Sequence, residues 1–86
     1  MDVDWARDDA MRLHNAGEGR LGTDEDIFVD IFASRSWIQL NAIATEYQQL
    51  NIVSLEAAIN SELSGDIQRT LLAIRKISVS VQYLNT

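Results

Sequence analysis

The sequence predicts a single all-α domain, and three observations carry that prediction. The chain has no proline and only four glycines in 86 residues, so little interrupts a helix. Apolar residues recur at intervals of three and four along most of its length, which is the spacing of one helix face. Serine or threonine stands ahead of several apolar runs, where a helix start needs an oxygen to accept from its unpaired amides.

Five helical segments follow from these signals. The first covers about 4–16, with Trp5, Ala6, Ala10, Leu13 and Ala16 on one face and Asn15-Ala16-Gly17 closing it. A glycine-bearing loop, Gly17 to Gly22, comes next. Thr23 then reads as the N-cap of a second helix over about 24–34, with Asp24, Glu25 and Asp26 facing its positive end and Ile27, Phe28, Ile31 and Phe32 as its apolar stripe. Arg35-Ser36 interrupts the pattern. Ser36 caps a third helix over about 36–49, with Gln39 at the reciprocal capping position and Trp37, Leu40, Ile43, Ala44, Tyr47 and Leu50 inward. Ser54 caps a fourth over about 54–63, with Leu55, Ala58, Ile59 and Leu63 inward, and Ser64-Gly65 stops it. The last, over about 66–77, carries Ile67, Leu71, Leu72, Ile74 and Ile77 and fades into the β-branched stretch after it. Short helices with brief connections make a bundle.

A chain of this length encloses one hydrophobic core, so residues 1–86 read as one domain. With 47% hydrophobic and 23% charged residues it has the composition of a folded protein. It has no cysteine, which leaves out disulfides and thiolate metal sites. No apolar run approaches the roughly 18 to 20 residues of a membrane span, and the start, Met1-Asp2-Val3-Asp4, lacks the pattern of a signal peptide. The expectation is a soluble, cytoplasmic chain. A net charge of -6 repels both nucleic acid and anionic lipid, so either partner would need a cation between.

The candidate chemistry lies in the glycine loop. Gly17, Gly19 and Gly22 permit positive φ, which lets several main-chain carbonyls turn toward one point. A hard cation suits such a point, because calcium takes six to eight oxygen ligands, carbonyls and carboxylates among them. Glycines ahead of a helix also simply make turns, so the loop by itself says little.

Residues 16–25, Ala-Gly-Glu-Gly-Arg-Leu-Gly-Thr-Asp-Glu, resemble the annexin loop, which that family writes A-G-E-x-x-x-G-T-D-E. The resemblance continues through Arg35-Ser36, Tyr47, Ser61-Glu62-Leu63-Ser64-Gly65-Asp66 and Leu71-Leu72-Ala73-Ile74, from about Asp9 to Tyr83. It is nearest to the third of the family's usual four repeats. The resemblance implies a five-helix, right-handed superhelical bundle with its calcium loops on one convex face. It also implies calcium-dependent binding to acidic phospholipid, in a cytoplasmic protein that becomes peripheral to membranes when calcium rises. By position, the carbonyls of Gly17, Arg20 and Gly22 and the carboxylate of Glu62 would hold the ion; thirty-eight residues separate Thr23 from Glu62, as in the family. The Thr23 carbonyl and Glu25 carboxylate resemble the family's weaker accessory site, and Arg20 and Leu21 fall at the loop tip, where membrane contact is expected.

Other residues read more plainly. His14, the lone histidine, lacks a second ligand for zinc and a partner for nucleophilic catalysis, so it reads as a helix-surface residue and the chain as no enzyme. Trp5 and Trp37 fall on apolar helix faces and read as core. Asp24-Glu25-Asp26 reads as capping charge. Arg35 resembles a family arginine that ties a helix junction to a carboxylate. Arg75 stands where annexin repeats usually carry an apolar residue; it reads either as an arginine snorkelling at a core edge or as a polar replacement for a patch left without neighbours. The rival function is a structural or self-associating helical module, touching copies of itself or other annexin repeats, without a working calcium site.

Overall fold

The computed structural model describes residues 4–17 and 22–84, and among these the chain forms five helices and no strand. They are α1 (Asp4–Ala16), α2 (Glu25–Ser34), α3 (Trp37–Leu50), α4 (Leu55–Glu62) and α5 (Gly65–Leu84). Ser36 opens α3 with the full reciprocal cap: its hydroxyl accepts from the Gln39 amide while the Gln39 side chain accepts from the Ser36 amide. Ser54 opens α4 through the Ala57 amide.

α1 lies along α3, and α3 packs in turn on α5. Arg7 meets Glu46 at 3.0 Å and His14 meets Asn51 at 2.7 Å, so α1 and α3 run in the same direction. Between the helices lies one core, in which Leu13, Phe28, Ile31, Leu40, Ile43, Tyr47, Leu55 and Ile59 are buried. The junction of α2 with α3 is held from α1: Arg35 donates to both Asp9 oxygens, at 2.6 and 3.2 Å, and Arg12 lies between Asp9 and Asp30. The hydrogen bond to Asp9 raises the Arg35 guanidinium above its usual pKa, outweighing burial, which lowers it. Arg35 therefore ties the helix junction to a carboxylate.

Three sequence expectations are corrected. Spacing alone ends the last helix near Ile77, yet α5 continues to Leu84. The extension is anchored by tertiary contacts that override the weak helix propensity of its β-branched residues. Ser78 is fully buried and donates to the Arg75 carbonyl, while its own carbonyl accepts from Asn41 of α3 at 2.8 Å. Trp37 and Leu50, placed inward by periodicity, are 40% and 46% exposed, because they sit in the first and last turns of α3, beyond the neighbours that cover its middle. His14 is half-buried and hydrogen-bonded to Asn51, not a plain surface residue.

Candidate metal centre

Backbone hydrogen bonds shape the loop between α1 and α2. The Gly17 amide donates to Leu13 and His14 carbonyls at the end of α1, and the Asp24 amide returns to the Ala16 carbonyl at 2.7 Å. The chain that leaves at residue 17 is thus pinned back beside its starting point. Gly22 makes the return possible with φ at +86°, a left-handed conformation that costs other residues roughly 1–2 kcal/mol.

Gly17 serves differently from the sequence expectation, since its φ is not positive. A Cβ there would stand 3.4 Å from Glu62 Cγ, 3.6 Å from Glu62 Cδ and 3.5 Å from Phe28 Cζ. The Glu62 stem packs at ordinary contact distance beside Gly17, which brings a residue from the end of α4 against the start of the loop.

Thr23 completes the convergence. Its hydroxyl lies 2.8 Å from Glu62 Oε2 and 3.1 Å from the Glu62 carbonyl oxygen. The expectation that Thr23 caps α2 is corrected: the helix starts at Glu25, the N-cap is Asp24, and Thr23 stands one residue too early to accept from the first-turn amides. Asp24 makes no side-chain cap bond either. On the far side of Glu62, the Gln68 side-chain Nε2 donates to the Asn60 and Leu63 carbonyls, both at 2.9 Å. That contact satisfies carbonyls that the end of α4 leaves open and fixes the peptide carrying Glu62. Gln68 was not among the sequence candidates; no motif marks it, because its role depends on α5 folding back beside α4.

Of the residues singled out by sequence, the structure brings Gly17, Thr23 and Glu62 together, with Gly22 adjoining Thr23 in the chain. Glu25 opens α2 and is exposed. Arg20 and Leu21 lie outside the described residues. Among the described residues no three histidine, aspartate or glutamate side chains gather as a metal cluster. Glu62 thus brings one carboxylate beside the loop, a hard oxygen donor of the kind that suits calcium better than a softer metal.

Comparison with known proteins decides the family. The annexin family model matches residues 8–74. The chain belongs to the annexin family. Annexin A3 of Bos taurus is 46% identical over 74 residues, covering 86% of this chain and 23% of that protein. Annexin A13 of Homo sapiens matches at the same identity and the same coverage, again 23% of its length. Among solved structures, annexin III superposes with a TM-score of 0.88 at 40% identity, over 91% of this chain and 24% of that one. A K16A mutant of annexin A8 superposes with a TM-score of 0.79 at 35% identity, covering 83% and 22%. The chain therefore has the all-α annexin-repeat fold and corresponds to a single repeat, about a quarter of the length of these relatives. The family model stops at Ile74, short of the Tyr83 to which the sequence resemblance extends, so Arg75 and the rest of α5 lie outside it.

Proposed function

We propose that this annexin repeat binds one calcium ion at the α1–α2 loop and through it attaches to acidic phospholipid. The ligands are the carbonyls of Gly17, Arg20 and Gly22 and the carboxylate of Glu62, with open positions left to water or a lipid phosphoryl oxygen. One observation carries the reading: Glu62 lies against Gly17 and in hydrogen-bond contact with Thr23, although the chain separates it from both by about half its length. The chain acts as a binding module and not as an enzyme.

The ion is what reconciles an acidic protein with an acidic surface. A site with one carboxylate and several neutral carbonyls binds calcium with a Kd of roughly 10⁻⁴ to 10⁻³ M. Anionic lipid concentrates the ion at its surface and supplies further oxygens, so affinity rises when membrane is present. No helix among the described residues is long and apolar enough to cross a bilayer, which suits peripheral attachment. Leu21 and Arg20 make the nearest contact with lipid, and the Thr23 carbonyl with exposed Glu25 forms a weaker accessory site.

Sedimentation with phosphatidylserine vesicles tests this. Calcium-dependent, chelator-reversible pelleting is expected, at least several-fold weaker for Glu62→Gln. Pelleting indifferent to both calcium and the substitution overturns the reading.

A second reading rests on its own observation. Between α2 and α5 runs an apolar groove lined by Val29, Phe32, Ala33, Ile67, Leu71 and Ile74. Such a groove suits contact with another repeat or a second copy. Sedimentation velocity without calcium tests it: a concentration-dependent rise in mass supports self-association, and a monomer throughout counts against it.

A further inference from the structure

We propose that the Thr23 hydroxyl is the positioning group for the Glu62 carboxylate, orienting it toward the loop before any cation arrives. The inference rests on the calcium reading above and adds a residue to it that acts through its side chain and not as a ligand.

The hydroxyl's hydrogen-bond contacts go to two atoms of one residue, Glu62 Oε2 at 2.8 Å and Glu62 O at 3.1 Å. With one proton to give, it donates to one at a time, and from either position it ties residue 62 to the loop exit. The role usual for a threonine ahead of an acidic helix start is closed to it, since Asp24 occupies the N-cap. Two further contacts limit Glu62 from other sides. Its stem packs against Gly17, and the Gln68 side chain holds the carbonyls of Asn60 and Leu63 on either side of its peptide.

Orientation matters because a surface glutamate samples several rotamers and gives them up on ligation. A carboxylate offers about four lone-pair positions, so the Thr23 bond occupies one and leaves the rest for a cation. The bond therefore assists binding and does not have to break. Losing a hydrogen-bond partner of a metal ligand typically lowers affinity 10- to 100-fold. With Gly17 and Gln68 still confining Glu62, the low end of that range, about tenfold, is expected here.

The test uses the full chain with Thr23→Val, which keeps the shape and removes the hydroxyl, Thr23→Ala as a second deletion, and Thr23→Ser, which restores it. Calcium chloride titration followed by NMR should give about tenfold weaker binding for Val and Ala and near-parent binding for Ser. A calcium-free readout accompanies it: three-bond couplings along the Glu62 side chain should report one rotamer in the parent and Thr23→Ser, and averaging in the other two. Unchanged or tighter calcium binding in Thr23→Val and Thr23→Ala overturns the proposal, as does identical coupling in all four proteins. If the parent binds no calcium, the calcium reading fails by itself, and the couplings still decide whether Thr23 orients Glu62.

Discussion

Two of the polar clusters that join helices in this protein sit in contrasting surroundings, one beside a surface loop and one enclosed between helices. At the end where α4 turns into α5, Glu62 has its carboxylate in contact with the Thr23 hydroxyl and its stem against Gly17. About ten residues along α5, or roughly 15 Å at 1.5 Å per residue, Arg75 is enclosed. Its side chain is 11% exposed, one Nη reaches Asn41 Oδ1 at 2.7 Å and Ser78 Oγ at 2.9 Å, and its Nε lies 3.3 Å from Glu56 without the alignment of a hydrogen bond. Asn41 is itself satisfied on its other side by the Ser78 carbonyl. The first cluster sets a single hydroxyl donor on a half-buried carboxylate, and the second encloses a guanidinium whose Nε is buried without a hydrogen bond. Partial satisfaction is tolerable at the surface loop, where water can share the load, and costly at a buried helix contact.

The largest expected effect lies in the enclosed cluster. Arg75→Ala leaves Asn41 Oδ1 buried without its donor and removes the partner of Glu56, so a loss of about 2–3 kcal/mol in urea denaturation is expected. Calcium binding should stay near the parent value. Pairing Arg75→Met with Asn41→Leu removes both polar partners together and should recover most of the loss. A single Arg75→Met as stable as the parent would break the comparison, because it would show that the network adds little.

Two of the loop glycines come next. Gly22→Ala meets no atom within 4 Å, so its cost is backbone strain alone, about 1–2 kcal/mol. It should also weaken calcium binding by turning the loop carbonyls. Gly17→Ala adds no strain in φ and only ordinary contacts at 3.4–3.6 Å, so stability should change by less than about 0.5 kcal/mol. Equal thermal shifts for the two variants would show that φ at Gly22 is not what closes the loop. Gln68→Ala, which frees the carbonyls of Asn60 and Leu63, should cost about 1 kcal/mol and loosen calcium binding modestly, as read by the same denaturation and titration.

How legible each cluster was in the sequence follows the same division. Gly17, Gly22, Thr23 and Glu62 stand in a recognisable motif at a recognisable spacing, so the meeting of Gly17, Thr23 and Glu62 could be expected before any coordinates. The use of the Thr23 hydroxyl could not, because its assignment turned on whether α2 begins at residue 24 or 25, and helix ends are the least certain part of a pattern. Gln68, Asn41 and Ser78 are ordinary polar residues whose partners lie on other helices, and no local signal marks them. The overlong α5 was hidden for the same reason: the β-branched residues after Ile77 have weak helix propensity, and the contacts of Ser78 that anchor them lie on another helix.

Tryptophan supplies the smallest and most diagnostic effect. Periodicity puts both Trp5 and Trp37 in the core, but only Trp5 is packed against it, while Trp37 is 40% exposed. Trp37→Gln removes a ring that stands outside the core cluster, so stability should move by no more than about 0.5 kcal/mol. The variant leaves Trp5 as the only indole, partly shielded by the core at the start of α1. Its emission should lie to the blue of the parent's, and calcium should shift it little, because Trp5 lies a dozen residues ahead of the loop, about 18 Å at 1.5 Å per residue along α1. A large calcium-dependent change in that single-tryptophan protein would mean that the loop and the body of α1 move together.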